Sequence, residues 1–309
     1  MSAWAVFGDG AWGRALARRL AAADHTVLLV GLAASRRKLP AGVTHTTDGP
    51  TALATCERLV FALPAAEVEQ GLRALAPHCK GHHRALTTAR GLTTDNHRRA
   101  SEAVQALTCI RQVAVLAGAA DAQALDKNQP AALVVGSPFG TWADEIQDSL
   151  VGKHLRIYTN PDAVGVELSN ALAAVLAVAM GAARELAVGA ATEATALTRA
   201  VAEMDRVVQG LGGRANTAHG LAGLGALTTY IFEGGGAGFQ AGQAIARGET
   251  EGLADRHPEL VEAATTLAAR AAKQRLRAPM LGAVLGLLKG EVAASSALDA
   301  LMQRAARAE

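Results

Sequence analysis

A strand-like run, Ala3–Phe7, leads into Gly8-Asp9-Gly10-Ala11-Trp12-Gly13 and then into the helix-forming Arg14-Ala15-Leu16-Ala17. This is GxGxxG spacing between a first strand and a first helix, the context a dinucleotide fingerprint requires. Gly8 permits the tight turn, Gly10 lets a pyrophosphate approach the backbone, and Gly13 lets helix and strand pack closely. Ala11 and Trp12 belong to the cofactor-binding loop, and the N-terminus of the helix that follows offers unpaired N–H groups and positive dipole to phosphates. The plainer alternative is a glycine turn closing an ordinary βα unit. Dinucleotide folds that take NAD often carry an acid at the end of the second strand, to hold the ribose hydroxyls. Here that strand ends Val30-Gly31-Leu32, and Ser35-Arg36-Arg37-Lys38 follows. Arg36 and Arg37 would suit the 2′-phosphate of NADP, or they form a solvated loop. The expected cofactor is NADP or NAD, with NADP slightly favoured.

Other residues with usable chemistry are scattered. His219 directly precedes the glycine block Gly220-Leu221-Ala222-Gly223-Leu224-Gly225, and its near-neutral titration suits proton transfer. A packed or capping histidine is the alternative. Ser169 and Asn170 could orient a substrate hydroxyl, or cap and pack a helix. Tyr230 is a possible proton donor, or simply packing. Metal-site spacings such as HExxH and EF-hand loops are absent, as is the GxSxG nucleophile turn. Cys56, Cys79 and Cys109 lie far apart with no CxxC pair, which suits a reducing, cytoplasmic setting.

The elements that must position these residues fall into two patterns. A chain of 309 residues suggests about two domains. Half the residues are hydrophobic and 19% charged, enough for a sizeable core. Thirty Lys and Arg against 28 Asp and Glu leave a net charge of +2, too small to drive nucleic-acid or membrane binding. In the first half, strands at Ala3–Phe7, Thr26–Val30, Leu59–Leu63, Ala85–Thr88, Val113–Leu116 and Ala132–Val135 alternate with helices at Gly13–Ala23, Ala65–Leu75, Asp95–Leu107 and Thr141–Leu150. That alternation implies βαβ units and a mostly parallel, doubly wound sheet. Beyond Asn160-Pro161 the pattern becomes helical: Asp162–Val188, Glu193–Leu211, Ala237–Arg247, Pro258–Gln274, Pro279–Leu288 and a last helix from Ser295. The expected division is an α/β Rossmann-type domain over 1–160 and an all-α domain over 161–309. The N-terminus lacks the basic-then-apolar pattern of a signal peptide. The most apolar window, Ala171–Ala183, is short of the roughly 20 residues that span a bilayer and reads as a buried core helix.

Several blocks in order resemble NAD(P)-dependent glycerol-3-phosphate dehydrogenases. They are GxGxWG at Gly8–Gly13, Val60-Phe61-Ala62-Leu63-Pro64, Leu116–Ala120, Arg156–Asp162 with Gly165-Val166-Glu167-Leu168, Thr198-Arg199 with Glu203-Met204, and Gly220–Gly225. The resemblance covers nearly the whole chain. It implies a Rossmann-type domain, a helical substrate domain, a nicotinamide cofactor, a small-molecule substrate and a possible homodimer. Glu262 matches the family's cofactor-side glutamate. The residues that the resemblance makes responsible for chemistry are replaced. Ala173 stands at the lysine that moves the proton, and Arg90-Gly91 replaces a Lys-Gly pair. Arginine keeps the charge but is a poor proton shuttle. Ala226 stands at an aspartate, and Gly236-Ala237-Gly238 stands at the Ser-Arg-Asn triplet that grips the substrate phosphate. Gly118-Ala119-Ala120-Asp121 stands at the family's GPSF-like turn and sets a carboxylate where an anionic substrate would suffer repulsion. Two readings follow: an NAD(P)-dependent oxidoreductase with an altered substrate, its weak catalytic candidates being Arg90, Asn170 and His219, or a catalytically silent dinucleotide-binding relative.

Overall fold

The computed structural model describes residues 2–33, 39–93 and 97–303. Two compact units divide between Glu167 and Leu168. The division falls inside a helix, because the first turns of that helix are tied to the sheet unit: Glu167 accepts hydrogen bonds from Ser101 N, at 2.9 Å, and from Arg99 Nη1, at 3.1 Å.

The first unit is built on strands β1 (Ala3–Phe7), β2 (Thr26–Val30), β3 (Val43–Thr46), β4 (Arg58–Phe61), β5 (Arg84–Thr87), β6 (Gln112–Ala119), β7 (Ala131–Gly136) and β8 (Leu155–Asn160). Helices α1 (Ala11–Ala21), α2 (Gly49–Thr55), α3 (Ala65–Leu75), α4 (Ala100–Leu107), α5 (Ala122–Asp126) and α6 (Gly140–Leu150) connect them. The strands form one sheet in the order β3-β2-β1-β4-β5-β6-β7-β8. Every pairing is parallel except β6 with β7. Successive residues of a strand face opposite sides, so Trp4 and Val6 enter one core and Ala5 and Phe7 the other. Both faces are covered, which is why these strands read as unbroken apolar runs. Trp142 of α6 stacks on Trp4 at 5.6 Å and donates from Nε1 to Ala85 O, so its one polar atom is satisfied.

Sequence and structure differ in places. The polar Val43-Thr44-His45-Thr46 forms an edge strand that apolar patterning does not announce, and β8 alternates too weakly to be read alone. The segment read as a turn at Gly118-Ala119 is the end of β6. The helix expected from Asp95 begins at Ala100, and Asp95 itself lies outside the described residues.

The second unit is helical: the rest of α7 (Ala163–Glu185), then α8 (Ala190–Gly210), α9 (Ala226–Glu233), α10 (Ala237–Ala246), the short α11 (Leu253–Arg256), α12 (Pro258–Lys273), α13 (Pro279–Leu288) and α14 (Ala294–Met302). α7 is long and apolar enough to cross a membrane by length and composition. Its most apolar window is 78% buried within the protein, as a core helix requires. Small residues let the helices approach closely. A Cβ added at Gly181 would stand 2.0 Å from Phe239 O, and one at Gly242 would stand 2.0 Å from Val178 O. Glu203 of α8 is buried and caps α13, accepting from Met280 N at 3.0 Å and Leu281 N at 2.7 Å.

Candidate functional site

The chain runs from β1 outward to β2 and β3, then crosses back to β4 on the other side of β1. The strand order therefore reverses between β1 and β4, the place where open α/β sheets bind ligands beyond their carboxyl ends. The glycine loop lies there. Gly8 N donates to Val30 O at 2.9 Å, and Ala62 N donates to Phe7 O at 2.8 Å, pinning the loop to β2 and β4.

Each glycine has a different physical reason. Gly8 has φ +105°, and a Cβ there would lie 2.4 Å from Ala62 O. A Cβ on Gly13 would lie 1.9 Å from Gly8 O, so only glycine lets α1 start this close to its own loop. Gly10 is the N-cap of α1, and a Cβ on it would meet nothing within 4 Å. The fold demands Gly8 and Gly13, whereas at Gly10 it leaves open space over the first N–H groups of α1. Such a cradle fits a pyrophosphate, and with it NAD or NADP.

Around this loop the structure gathers groups that sequence spacing separates. Arg90 Nη2 donates to Ala120 O at 3.0 Å, and its guanidinium lies 5.9 Å from the Trp12 ring centre. Asp121 has a structural role, since its Oδ1 accepts from Ala124 N at 2.7 Å and caps α5. Asp9 and His45 are not singled out by sequence, yet they meet above Gly31 at the end of β2. A Cβ on Gly31 would be 2.7 Å from both Asp9 Oδ2 and His45 Nε2. An acid inside the glycine motif, with none at the end of β2, is the signal that could have found Asp9. His45 gives none, because apolar patterning does not reveal its strand. Arg36 and Arg37 lie outside the described residues.

In the helical unit, α7 carries Ser169 and Asn170, both buried. The Ser169 hydroxyl is buried without a hydrogen-bond partner. Ala173 lies one turn further along the same side of α7 and is fully buried. Residues Leu221–Gly225 form a turn of π-helix running into α9, with Gly225 N donating to Gly220 O at 3.1 Å. Such turns are frequent at functional sites. Ala226 opens α9. His219 sits in the preceding 3₁₀ turn with its side chain about half exposed and Nδ1 3.7 Å from Asp205 Oδ1 of α8. Asp205 also accepts from Asn216 N at 2.9 Å, which fixes the turn. Glu262 lies part-buried on α12.

Residues 32–143 match the model of the NAD-dependent glycerol-3-phosphate dehydrogenase N-terminus, and residues 162–299 match that of its C-terminus. The chain belongs to this family. The glycerol-3-phosphate dehydrogenase [NAD(P)+] of Deinococcus radiodurans is 34% identical over 324 residues, covering all of this chain and 97% of that protein. That of Acidobacterium capsulatum is 32% identical over 340 residues, covering both chains completely. The crystal structure of the Coxiella burnetii glycerol-3-phosphate dehydrogenase superposes with a TM-score of 0.88 at 24% identity, over 98% of this chain and 99% of that one. At that identity the likeness speaks for the fold.

Of this chain's small residues noted above, Ala173, Ala226 and Gly238 are packed within the helical unit, whereas Gly236 and Ala237 are exposed. Ala173 is fully buried and Ala226 nearly so. A Cβ on Gly238 would lie 2.0 Å from Ala174 O, because the start of α10 rests directly on the α7 backbone. The Tyr230 ring covers Gly236, where a Cβ would be 2.5 Å from Cδ1. Tyr230 is therefore packing material for the glycine stretch that follows it.

Proposed function

We propose that the chain is an NAD(P)-dependent oxidoreductase of the glycerol-3-phosphate dehydrogenase family, acting on a CH–OH group of a substrate other than a triose phosphate. The observation that carries this reading is the contrast at the glycine loop. Gly8 and Gly13 are filled by the fold itself, and Gly10 alone is left open where a pyrophosphate would lie. NAD or NADP would be held by the loop backbone from Gly8 to Gly13 and the first turn of α1, and when bound it supplies hydride exchange. The protein must supply everything else: orientation, exclusion of water and a proton for the developing alkoxide.

Support for an altered substrate comes from the helical unit. With Ala173, Ala226 and Gly236-Ala237-Gly238 at the family's chemistry-bearing positions, neither a lysine proton shuttle nor a guanidinium grip on phosphate is present there. The Ser169 hydroxyl is unpartnered and fully buried, a state that costs about 1–3 kcal/mol unless a ligand or water meets it. A hydroxyl substrate without a phosphate dianion suits that group. Asn170 beside it offers an amide, and His219, its Nδ1 3.7 Å from Asp205 Oδ1, offers an imidazole. In the first unit Arg90, tied to Ala120 and beside Trp12, is assigned to dinucleotide binding.

The second reading, a dinucleotide-binding protein without turnover, is favoured by one observation: α10 rests on the α7 backbone at Gly238, which leaves no room for a side chain there. Steady-state assays with NAD and NADP separate the readings. Glycerol 3-phosphate and dihydroxyacetone phosphate are expected to turn over several orders of magnitude below an ordinary kcat of about 10 s⁻¹. Positioned acid–base catalysis alone is worth about 10²- to 10⁴-fold. An ordinary rate on those substrates would refute the altered site. Dinucleotide binding with no turnover on any hydroxy or carbonyl substrate of similar size would favour the second reading.

A further inference from the structure

We propose that Asp9 supplies, from within the glycine loop, the carboxylate that dinucleotide folds ordinarily place at the end of the second strand, and that the chain therefore takes NAD in preference to NADP. The proposal rests on the dinucleotide reading above and goes on to say which dinucleotide.

The residue after β2 is Gly31, whose N–H donates to Thr46 O at 3.1 Å and so belongs to the strand end. A side chain there has no room. Its first carbon would lie 2.7 Å from Asp9 Oδ2, 2.8 Å from Asp9 Cγ and 2.7 Å from His45 Nε2. The carboxylate of Asp9 thus fills the volume from which a strand-end acid would project. The β2 end has no acid because an acid from the neighbouring loop already stands over it.

A second observation points to a ligand at the same spot. The His45 side chain, on the edge strand β3, is nine-tenths buried, and its Nε2 has no hydrogen-bond partner. That nitrogen lies 3.5 Å from Asp9 Oδ2, outside hydrogen-bond geometry, and both atoms border the space over Gly31. Asp9 itself is 38% exposed, so a ligand can reach it. One carboxylate accepting from vicinal hydroxyls, with an imidazole nitrogen beside it, is a site for a ribose diol. A ribose carrying a 2′-phosphate loses one hydroxyl donor and brings a dianion against the carboxylate. This selection opposes the preference read from Arg36 and Arg37.

The test is equilibrium titration of the purified full chain with NADH and NADPH, followed by fluorescence or calorimetry. Asp9→Asn, which keeps size and removes charge, and Asp9→Ser, which removes the charge and shortens the side chain to a hydroxyl, are titrated beside it, with circular dichroism to confirm folding. The parent is expected to bind NADH at least tenfold more tightly than NADPH. Asp9→Asn is expected to weaken NADH by about 10- to 100-fold, the worth of a charge-assisted hydrogen bond, while NADPH holds or tightens. Equal or tighter NADPH binding by the parent would overturn the proposal, as would equal loss of both cofactors in both variants. A folded parent that binds neither dinucleotide would overturn the dinucleotide reading and this one with it.

Discussion

One methyl group, added at two glycines three residues apart, is expected to do opposite things. At Gly13 the added carbon would meet Gly8 O at 1.9 Å, so reaching an ordinary 3.4 Å contact takes a shift of about 1.5 Å between α1 and the β1 loop. Both partners are backbone, and no side chain can rotate away. Overpacking of this kind costs about 1–3 kcal/mol or more. With about 2–4 °C per kcal/mol for a unit of this size, Gly13→Ala should melt roughly 3–10 °C below the parent. At Gly10 the added carbon meets nothing within 4 Å, and the N-cap exchange of Gly for Ala costs about 1 kcal/mol or less. Its penalty appears only with dinucleotide present, because the methyl takes the space over the α1 N-terminus. Losing one charge-assisted phosphate contact weakens binding about 10- to 100-fold. At a dinucleotide concentration of 100 Kd the parent gains about 2.7 kcal/mol of stability from the ligand, and a variant bound 100-fold more weakly gains about 0.4 kcal/mol. Differential scanning fluorimetry with and without NAD(H) and NADP(H) reads both effects. A Gly10→Ala protein that keeps the full ligand-induced shift, or a Gly13→Ala protein that melts with the parent, would refute the geometric division of labour between the two glycines.

Glu203 should behave as a structural cap rather than a titrating group in the site. Glu203→Ala strands the Met280 and Leu281 N–H groups at the start of α13 and should cost about 2–5 kcal/mol, whereas Glu203→Gln, which keeps one acceptor, should cost about half as much by urea midpoint. His83 gives the first unit a pH dependence. Burial holds its imidazole below the ordinary histidine value, and its Nδ1 accepts from Lys80 N while Nε2 donates to Leu53 O, each at 3.0 Å. Only the neutral ring can do both. Because the folded-state value lies below that of the unfolded chain, this stability is complete above about pH 6.5 and is lost as pH falls toward the folded value. His83→Gln should flatten the acid limb of a stability-versus-pH curve, and an unchanged limb would show that other groups govern it.

How much is legible in the sequence depends on which physical signal each element carries. Strands buried on both faces, β1 and β2 above all, announce themselves as apolar runs and can be placed to the residue. Helix α3, with its amphipathic pattern Ala65–Leu75, is equally plain. The edge strand β3 is not legible, because Val43-Thr44-His45-Thr46 has one covered apolar side chain and owes its existence to hydrogen bonds with β2. The short α2 depends on Asp48, whose carboxylate accepts from Thr51 N, a cap too local to register against a polar background. The π turn at Leu221–Gly225 has no periodic signature at all. In the site, the glycine loop is legible because its spacing encodes backbone geometry. The pairing of Asp9 with His45 is hidden, since it requires the edge strand and the loop to be folded before the two residues meet.

The glycine loop is held in place by the fold as well as by any ligand. Gly8 and Gly13 are required by the fold before any ligand is considered, since a Cβ at either would strike backbone. A chain that lost them would lose stability together with cofactor binding. Substrate-binding side chains have the opposite status. A lysine, an aspartate or an arginine turned into a closed helical unit must be desolvated, which destabilises the fold unless each is paired. Ala173, Ala226 and Gly238 carry no such cost, and α10 rests on α7 at Gly238 and Gly242 with backbone-to-backbone closeness. Reintroducing one lysine at Ala173 would bury a cation with nothing arranged to receive it. In the helical unit the Ser169 hydroxyl is the only buried side-chain polar atom without a hydrogen-bond partner among the described residues, and under the proposed reading a substrate hydroxyl would meet it.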